Sequence, residues 1–415
     1  MDLYPTLTEL TARARRLAED HPGALRLREV GRSRGGRPLW LLSVGRRGRH
    51  DVLVVAGAHA NEPVGGLTAL RLAAAPHELE RTGCTWHFLL CLDPDGMALN
   101  DGWIRRPASL EDYYRGLFRP ASTAQPEFLP AGGERETLLP ESRVLVDLLD
   151  ELRPVAQFSL HGVDVGGAFV QLTEEVPGAA EDLARAASAF GIPVEHRPYD
   201  GIDWDVRHPG VLVLPDSEVV TERDPAGFSA QATWLYAMRH GTVSAVVEAP
   251  AWAACGVSGP GAAGTSPDAA IAAVSELLLT RADRLERALG GLRGRPGPFT
   301  EAARELLGAC GGVVDTWKDL RAQGLPGLAD TAGNCASLGI AARRIPLRAA
   351  AMMRRGMDPA LPAEARAADT LAALVAEWSG ELRAAYAPTW IPPTTQSAFQ
   401  ARTVLSLADR LLTAD

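Results

Sequence analysis

The segment VVAGAHANEPVGG, residues 54–66, joins an apolar run to a turn that carries a histidine and, three residues later, a glutamate. The apolar run predicts a buried β-strand, and Gly57 with the residues around it predicts a turn. His59 and Glu62 therefore stand where the strand ends. Two interpretations are open at this point: an ordinary polar turn, or half of a metal site.

The spacing alone does not decide between them, because the sequence contains the same spacing twice. His77 and Glu80, in PHELERTG, are also three residues apart. That second pair lies among charged residues with no apolar strand before it, so it is typical of a solvated helix end. The context of His59 and Glu62 has to decide.

Length, composition and charge exclude several classes of protein. The chain has 415 residues, of which 46% are hydrophobic, and a formal net charge of −9, which argues against nucleic-acid binding. No apolar run reaches the ~18 residues of a membrane span, and no secretory leader is evident. Five scattered cysteines favour reduced thiols, so we expect a cytoplasmic protein. Lys318 is the only lysine, and this arginine bias suggests a bacterial genome rich in G and C.

The order of predicted elements indicates an α/β fold. The chain begins in the order α-β-β-β-α-β, and its continuous apolar strands predict a mixed, mainly parallel sheet sandwiched between helices. From about residue 266 the sequence changes to amphipathic helices. We predict a catalytic domain over residues 1–290 and a C-terminal α-helical extension over residues 291–415. A homo-oligomer formed through this extension is a further hypothesis.

Two more polar residues lie at the ends of apolar strands. They are His161 in VAQFSLHGVDVGG and Glu248 in TVSAVVEAP. Side chains from distant segments converge at the carboxyl ends of strands in α/β sheets. Two imidazoles and one carboxylate suit a catalytic zinc ion, with the fourth position left for water. Glu248 would then be free to act as general base on the zinc-bound water.

Several ordered motifs resemble the M14-type zinc carboxypeptidases, the funnelin-like metallopeptidases. The motifs are YPTLTEL, EVGRSRGGRPLWLLSVG, GAHANEP, CLDPDG, SLHG and VVEAP, spread over about residues 4–290. The resemblance implies a zinc carboxypeptidase-like fold and one zinc ion per chain. It implies His59, Glu62 and His161 as the metal ligands, and Glu248 as the catalytic base.

The resemblance also requires arginines, and here the sequence leaves alternatives open. Arg105 or Arg106, in MALNDGWIRRP, is similar to the family's oxyanion-stabilising arginine, and we slightly favour Arg105. Arg115 or Arg119, in EDYYRGLFRP, could hold a substrate carboxylate. Tyr114 stands where the family has asparagine, which puts carboxypeptidase specificity in doubt more than zinc hydrolysis.

The sequence thus predicts a zinc-dependent hydrolase that cleaves an amide or peptide bond adjacent to a free carboxylate. Its substrate would be a peptide or a carboxylate-bearing small molecule, with no nucleic acid or membrane as partner. Two alternatives remain. One is an N-acyl amino acid deacylase of the aspartoacylase or desuccinylase type, and the other is a non-catalytic binding protein on the same fold.

Overall fold

The computed structural model describes residues 3–45, 49–105, 109–130, 135–215, 231–325 and 327–413. Within these ranges the strands are β1 (Leu25–Arg32), β2 (Pro38–Val44), β3 (His50–Ala56), β4 (Cys84–Leu89), β5 (Ala156–Gly166), β6 (Phe169–Leu172), β7 (Asp205–His208), β8 (Val211–Val213), β9 (Val243–Ala253) and β10 (Thr389–Trp390). The order across the sheet is β1-β2-β4-β3-β5-β9-β6-β8-β7, and β10 pairs with β9.

The centre of this mixed sheet is parallel. Strands β4, β3, β5 and β9 run parallel to one another, and β6 runs parallel to β8. The pairs β1–β2, β2–β4, β6–β9 and β7–β8 are antiparallel. Strands β5 and β9 are eleven residues long, and every residue of β5 is buried. Continuous apolar strands of this kind require cover on both faces.

Helices provide that cover. They are α1 (Leu7–Asp20), α2 (Val64–Ala73), α3 (Pro76–Glu80), α4 (Pro94–Ala98), α5 (Asp101–Ile104), α6 (Leu110–Gly116), α7 (Pro140–Leu152), α8 (Ala179–Phe190), α9 (Thr233–Ala237), α10 (Pro267–Leu289), α11 (Pro298–Ala322), α12 (Ala332–Gly356), α13 (Pro362–Tyr386) and α14 (Pro393–Thr413). Alternate residues of β3 enter two different apolar cores, Val52 and Val54 on one face and Leu53 and Val55 on the other. The predicted fold class, a mixed sheet between helices with a C-terminal helical extension, is confirmed.

The C-terminal helices pack against the α/β unit. Helix α14 lies against α2, α8 and β9, and α12 contacts α6 and β5. Gln400 of α14 donates its amide hydrogens to the backbone carbonyls of His161 and Val247, at 2.6 and 3.0 Å. The division of the chain at residues 290 and 291 stays a prediction, but residues beyond it support the strands that carry the candidate site.

None of the helices within the described ranges combines the length and apolar composition that a membrane span requires.

Candidate metal centre

The turn after β3 is fixed by a glycine and by its own hydrogen bond. Gly57 has a φ of +61°, in the left-handed region, and a Cβ there would lie 2.9 Å from Cys91 Sγ. Only glycine fits this position without strain. The backbone amide of Glu62 then donates to the carbonyl of His59 at 3.1 Å. The turn therefore holds both side chains on the same side of the chain.

The sequence places His161 and Glu248 at strand ends, but each is the sixth residue of an eleven-residue strand, because β5 and β9 continue past them. The sheet register brings the two residues together. His161 of β5 is the register partner of Glu248 of β9, and the two strands are parallel. Neighbouring residues at one level of a parallel pair point to the same face of the sheet. Since β3 is the other neighbour of β5, its following turn lies beside them, as predicted from the sequence.

Three donor groups converge at this point. His59 Nδ1 lies 3.0 Å from His161 Nδ1, and each nitrogen lies within 3.0–3.1 Å of a carboxylate oxygen of Glu62. The amide of Gly162 donates to Glu62 Oε2 at 3.1 Å and helps to orient the carboxylate. Ligands about 2.0–2.1 Å from a tetrahedral zinc ion are separated by about 3.3 Å. The donor set and its spacing fit zinc.

A second carboxylate, Glu127, lies on the opposite side of the imidazole rings. Its Oε1 is 3.0 Å from His161 Nε2, and its Oε2 is 3.4 Å from His59 Nε2. Ser159 Oγ also contacts His161 Nε2, at 2.9 Å. His59, Glu127 and His161 could by themselves hold a metal ion, since their ligand atoms all lie within 4.8 Å of one another.

The cavity distinguishes the two sides. A cavity of about 130 Å³ is lined by His59, Glu62, His161 and Glu248 but not by Glu127, which is 1% exposed. A substrate can thus reach the cluster from the side of Glu62 and Glu248, and not from the side of Glu127. Glu127 has the position of an outer carboxylate that orients metal-binding histidines through their second nitrogen.

The charges of the cluster favour a cation. Burial acts to raise the pKa of Glu127, but the adjacent His161 and His59 hold it at about 2. Burial acts to lower the pKa of His161, but Glu127 and Glu62 raise it well above its usual range. Burial and the charge of Arg119 lower the pKa of His59, against the opposing effect of Glu62, which favours a neutral ring there. The two buried carboxylates therefore stabilise positive charge at His161, whether it is carried by a proton or by a metal ion.

Glu248 lines this cavity. It is 7% exposed, and its Oε2 is buried with no hydrogen bond among the described residues. Burial, together with the negative charge of Glu62, raises the pKa of Glu248 well above its usual range. An unpaired buried carboxylate is costly unless something else binds it, so this position calls for a water molecule, an ion or a substrate.

Of the four arginines predicted from the sequence, the structure brings Arg119 to the cluster. Its Nη1 donates to Glu62 Oε1 at 3.1 Å, and its Nη2 lies 2.9 Å from His59 Nε2. The backbone amide of Arg119 contacts Met352 Sδ at 3.5 Å, so α12 supports this segment.

The other arginines are placed differently. Arg105 is exposed at the end of α5, where its charge acts on Glu9 and Asp101, and it does not line the cavity. Arg115 is half-exposed and pairs with Glu111 one helical turn away. Arg106 lies outside the described residues.

Two of the quoted motifs have a structural task. Asp95, in the CLDPDG turn, accepts from the backbone amide of Gly35 at 2.7 Å and from Arg37 Nη1 at 2.6 Å. Asp93 accepts from Gly96 at 2.9 Å and caps α4. The GRSRGGRP segment is thereby tied to the loop after β4, away from the cluster.

Sequence reasoning missed Glu127 and three charged residues of the same region, Asp200, Arg344 and Arg348. Glu127 follows no strand, so no pattern indicates it. The arginines lie in IAARRIPLRAAAMMRRG, residues 340–356. Repeated arginines in an otherwise apolar helix signal buried ion pairs, because such a helix has no solvated face on which to place them.

Residues 10–166 match the model of the zinc carboxypeptidase family, peptidase family M14. This confirms, for that segment, the resemblance predicted from the motifs. The matched segment includes His59, Glu62 and His161 and ends before Glu248. A search of curated proteins finds no significant match to this sequence.

Solved structures with a similar backbone include three proteins described as metallopeptidases or carboxypeptidases. A Shewanella amazonensis protein with a proposed metallopeptidase function is 17% identical, with 59% of this chain and 84% of that chain covered and a TM-score of 0.42. A metallo-carboxypeptidase from Burkholderia cenocepacia is 19% identical, with 59% and 60% covered and a TM-score of 0.38. Carboxypeptidase A from Helicoverpa armigera is 17% identical, with 60% and 65% covered and a TM-score of 0.37.

Proposed function

We propose that this protein is a zinc-dependent hydrolase that cleaves an amide bond adjacent to a free carboxylate. One observation carries the proposal: two histidine Nδ1 atoms and the Glu62 carboxylate converge within 3.1 Å of one another on the wall of a cavity that also receives Glu248. The family match over residues 10–166 supports a zinc-binding hydrolase.

His59, Glu62 and His161 would hold the zinc ion. When bound, zinc supplies a Lewis acid that polarises a carbonyl and lowers the pKa of water. A neutral imidazole that gives Nδ1 to a metal keeps its proton on Nε2 and must donate it. Glu127 Oε1 lies 3.0 Å from His161 Nε2 and can accept from it. Glu127 Oε2 lies 3.4 Å from His59 Nε2 and has no hydrogen bond among the described residues, so it is free to accept from that ring.

Glu248 is the proposed general base. Its carboxylate lines the cavity beside the cluster and has no competing hydrogen bond among the described residues. It can take a proton from an attacking water molecule and return it to the leaving amine. The register with His161 places it on the adjacent strand, so its position relative to the ligands is set by the sheet.

Arg119 is the proposed oxyanion-stabilising group, a role that the sequence favoured for Arg105. A guanidinium at this position can donate to the carbonyl oxygen as negative charge develops there. Since Arg119 now lies 2.9 Å from His59 Nε2, and that nitrogen must carry a proton when Nδ1 binds zinc, Arg119 would turn from His59 towards the cavity. Its charge would then face the substrate.

Hydrolysis of defined amides tests the proposal. Zinc-loaded protein would be incubated with blocked dipeptides and with N-acyl amino acids, each as the free acid and as the carboxamide. We expect release of the amine from free acids, loss of activity on chelation and its return with zinc. A preference for N-acyl amino acids would identify a deacylase. Turnover of no amide by zinc-loaded protein would contradict the proposal and favour a binding protein.

A further inference from the structure

We propose that Arg348, on the C-terminal helix α12, binds the carboxylate of the substrate, and that the cavity beside it receives an apolar group. The identity of the bond that is cut rests on the proposed function, whereas the binding of a carboxylate by Arg348 does not. Arg348 lies outside the segment that matches the zinc carboxypeptidase model, which ends at residue 166.

Arg348 stands between two cavities. It lines the 130 Å³ cavity of the metal cluster and also a second cavity of about 330 Å³. The residue is 9% exposed. The two cavities share Arg348 with Arg119, Phe128 and Asp200, so a ligand that spans both lies beside these four side chains.

The guanidinium is held in a fixed orientation from behind. Arg348 Nε donates to Asp164 Oδ2 at 3.0 Å. Asp164 is in turn bound by Arg344 Nη1 at 3.2 Å and by the hydroxyl of Tyr114 at 2.9 Å. Burial acts to raise the pKa of Asp164, but Arg348 and Arg344 hold it at about 2, so the carboxylate is charged at neutral pH. A buried arginine anchored through Nε keeps its two Nη atoms pre-organised.

Those two Nη atoms are available to a ligand. Neither Nη atom forms a hydrogen bond with a residue in the described part of the chain. Neither atom is fully enclosed by the protein. The neighbouring arginines differ. Arg344 uses its Nη atoms on Asp164 and Asp200, and Arg119 uses its own on Glu62 and His59. Two parallel N–H donors match the two oxygens of a carboxylate.

The second cavity indicates the group next to that carboxylate. One side of this cavity is formed by small and aliphatic side chains of α11 and α12, which are Ala302, Leu306, Ala309, Val313 and Ile345. The arginines and Asp200 lie elsewhere on its wall, and Asp200 is paired with Arg344. Glu305, at the same wall, accepts from the backbone amide and the hydroxyl of Ser122 at 2.8 and 3.0 Å, and so is occupied. A neutral aliphatic side chain fits this aliphatic side of the cavity.

This assignment also accounts for Tyr114, which stands where the related motif has asparagine. Tyr114 is fully buried, and its hydroxyl binds the same Asp164 oxygen as Arg348 does. Arg115, next to it, points away and pairs with Glu111. Tyr114 thus acts on the carboxylate-binding site indirectly, because it positions Asp164. The arginine that binds the substrate carboxylate, Arg348, comes from α12.

Calorimetric binding of 4-methylpentanoate and 4-methylpentanamide tests the assignment, because the two probes differ only in the charged group. The variants are Arg348→Gln and Arg348→Lys, with Arg354→Gln on the same helix as the matched control, since Arg354 lines neither cavity. Arg348→Lys keeps a positive charge beside Asp164 if Arg348→Gln fails to fold. Zinc content and Tm are recorded for each protein.

Wild type and Arg354→Gln are expected to prefer the acid over the amide. Arg348→Lys should lower that preference by about 10-fold and Arg348→Gln by about 30-fold or more, while amide binding and zinc content stay unchanged. An acid preference that survives in a folded Arg348 variant would mean that zinc or another group binds the carboxylate, and would overturn the assignment. Arg348-dependent acid binding in a protein that hydrolyses no amide would uphold the assignment and refute the proposed function instead.

Discussion

His59 Nδ1 lies 3.0 Å from His161 Nδ1, although the two residues are 102 positions apart in the chain. Two imidazole nitrogens at this distance cannot both point protons at each other. Glu62, within 3.1 Å of both, closes the third side of the group. A cation satisfies all three donors at once, which is the central claim of the proposed function.

Glu248→Gln is expected to lower the rate of hydrolysis by several orders of magnitude and to leave zinc content and Tm unchanged. A base can be removed without emptying the metal site, whereas a ligand cannot. Steady-state kinetics with metal analysis of the same sample checks this. Loss of zinc from the variant would make Glu248 a ligand and reverse the assigned roles.

Arg119→Ala is expected to lower kcat by about 100-fold or more, the cost of removing one oxyanion donor. Arg105→Ala is the matched control: its exposed side chain lies near Glu9 and Asp101, outside the cavity. We expect kcat of that variant to equal the wild-type value. The reverse result, a loss with Arg105→Ala alone, would restore the role that the sequence favoured for Arg105.

Glu127→Gln is expected to weaken zinc affinity by about 10–100-fold without emptying the site at saturating zinc, since outer carboxylates orient metal-binding histidines. Competition with a chromogenic chelator measures the dissociation constant. Complete loss of zinc at saturation would instead place Glu127 in the coordination sphere, on the Nε2 side of the rings.

Much of this site follows from the sequence because three of its residues come directly after apolar runs of buried strands. His59, His161 and Glu248 each follow an apolar run, and parallel strands bring their carboxyl ends together. Neither Glu127 nor Arg348 could be found this way, because Glu127 follows no strand and Arg348 is buried inside a helix.

Among the helices, too, the sequence pattern predicts some and misses one. Amphipathic patterns over residues 7–22, 267–292, 299–323, 363–386 and 397–415 predict five helices, and the structure has α1, α10, α11, α13 and α14 over most of these segments. Helix α12 was not predicted. It is buried on most of its surface and contains Pro346, so it shows no apolar stripe and carries a residue that usually ends helices.

The Asp164 carboxylate should make stability depend on acid pH. Its pKa is about 2 in the folded protein, held there against burial by Arg348 and Arg344, and about 3.9 when unfolded. The lowered pKa contributes on the order of 2–3 kcal/mol above about pH 4, and this is lost as pH falls towards about 2. Urea unfolding measures the free energy of unfolding of wild type and Asp164→Asn. The difference between the two free energies should become smaller by about 1 kcal/mol between about pH 6 and about pH 3. A difference that does not change with pH would show that folding leaves the pKa of Asp164 unshifted.

Metal analysis of the purified protein and three histidine variants tests the central claim most directly. We expect about one zinc ion per wild-type chain and almost none in His59→Ala or His161→Ala. His77→Ala should keep the wild-type content, because His77 and Glu80 share the spacing of His59 and Glu62 but the His77 side chain is 90% exposed. A folded wild-type protein that neither contains nor rebinds stoichiometric zinc, or equal zinc in all four proteins, would contradict the account.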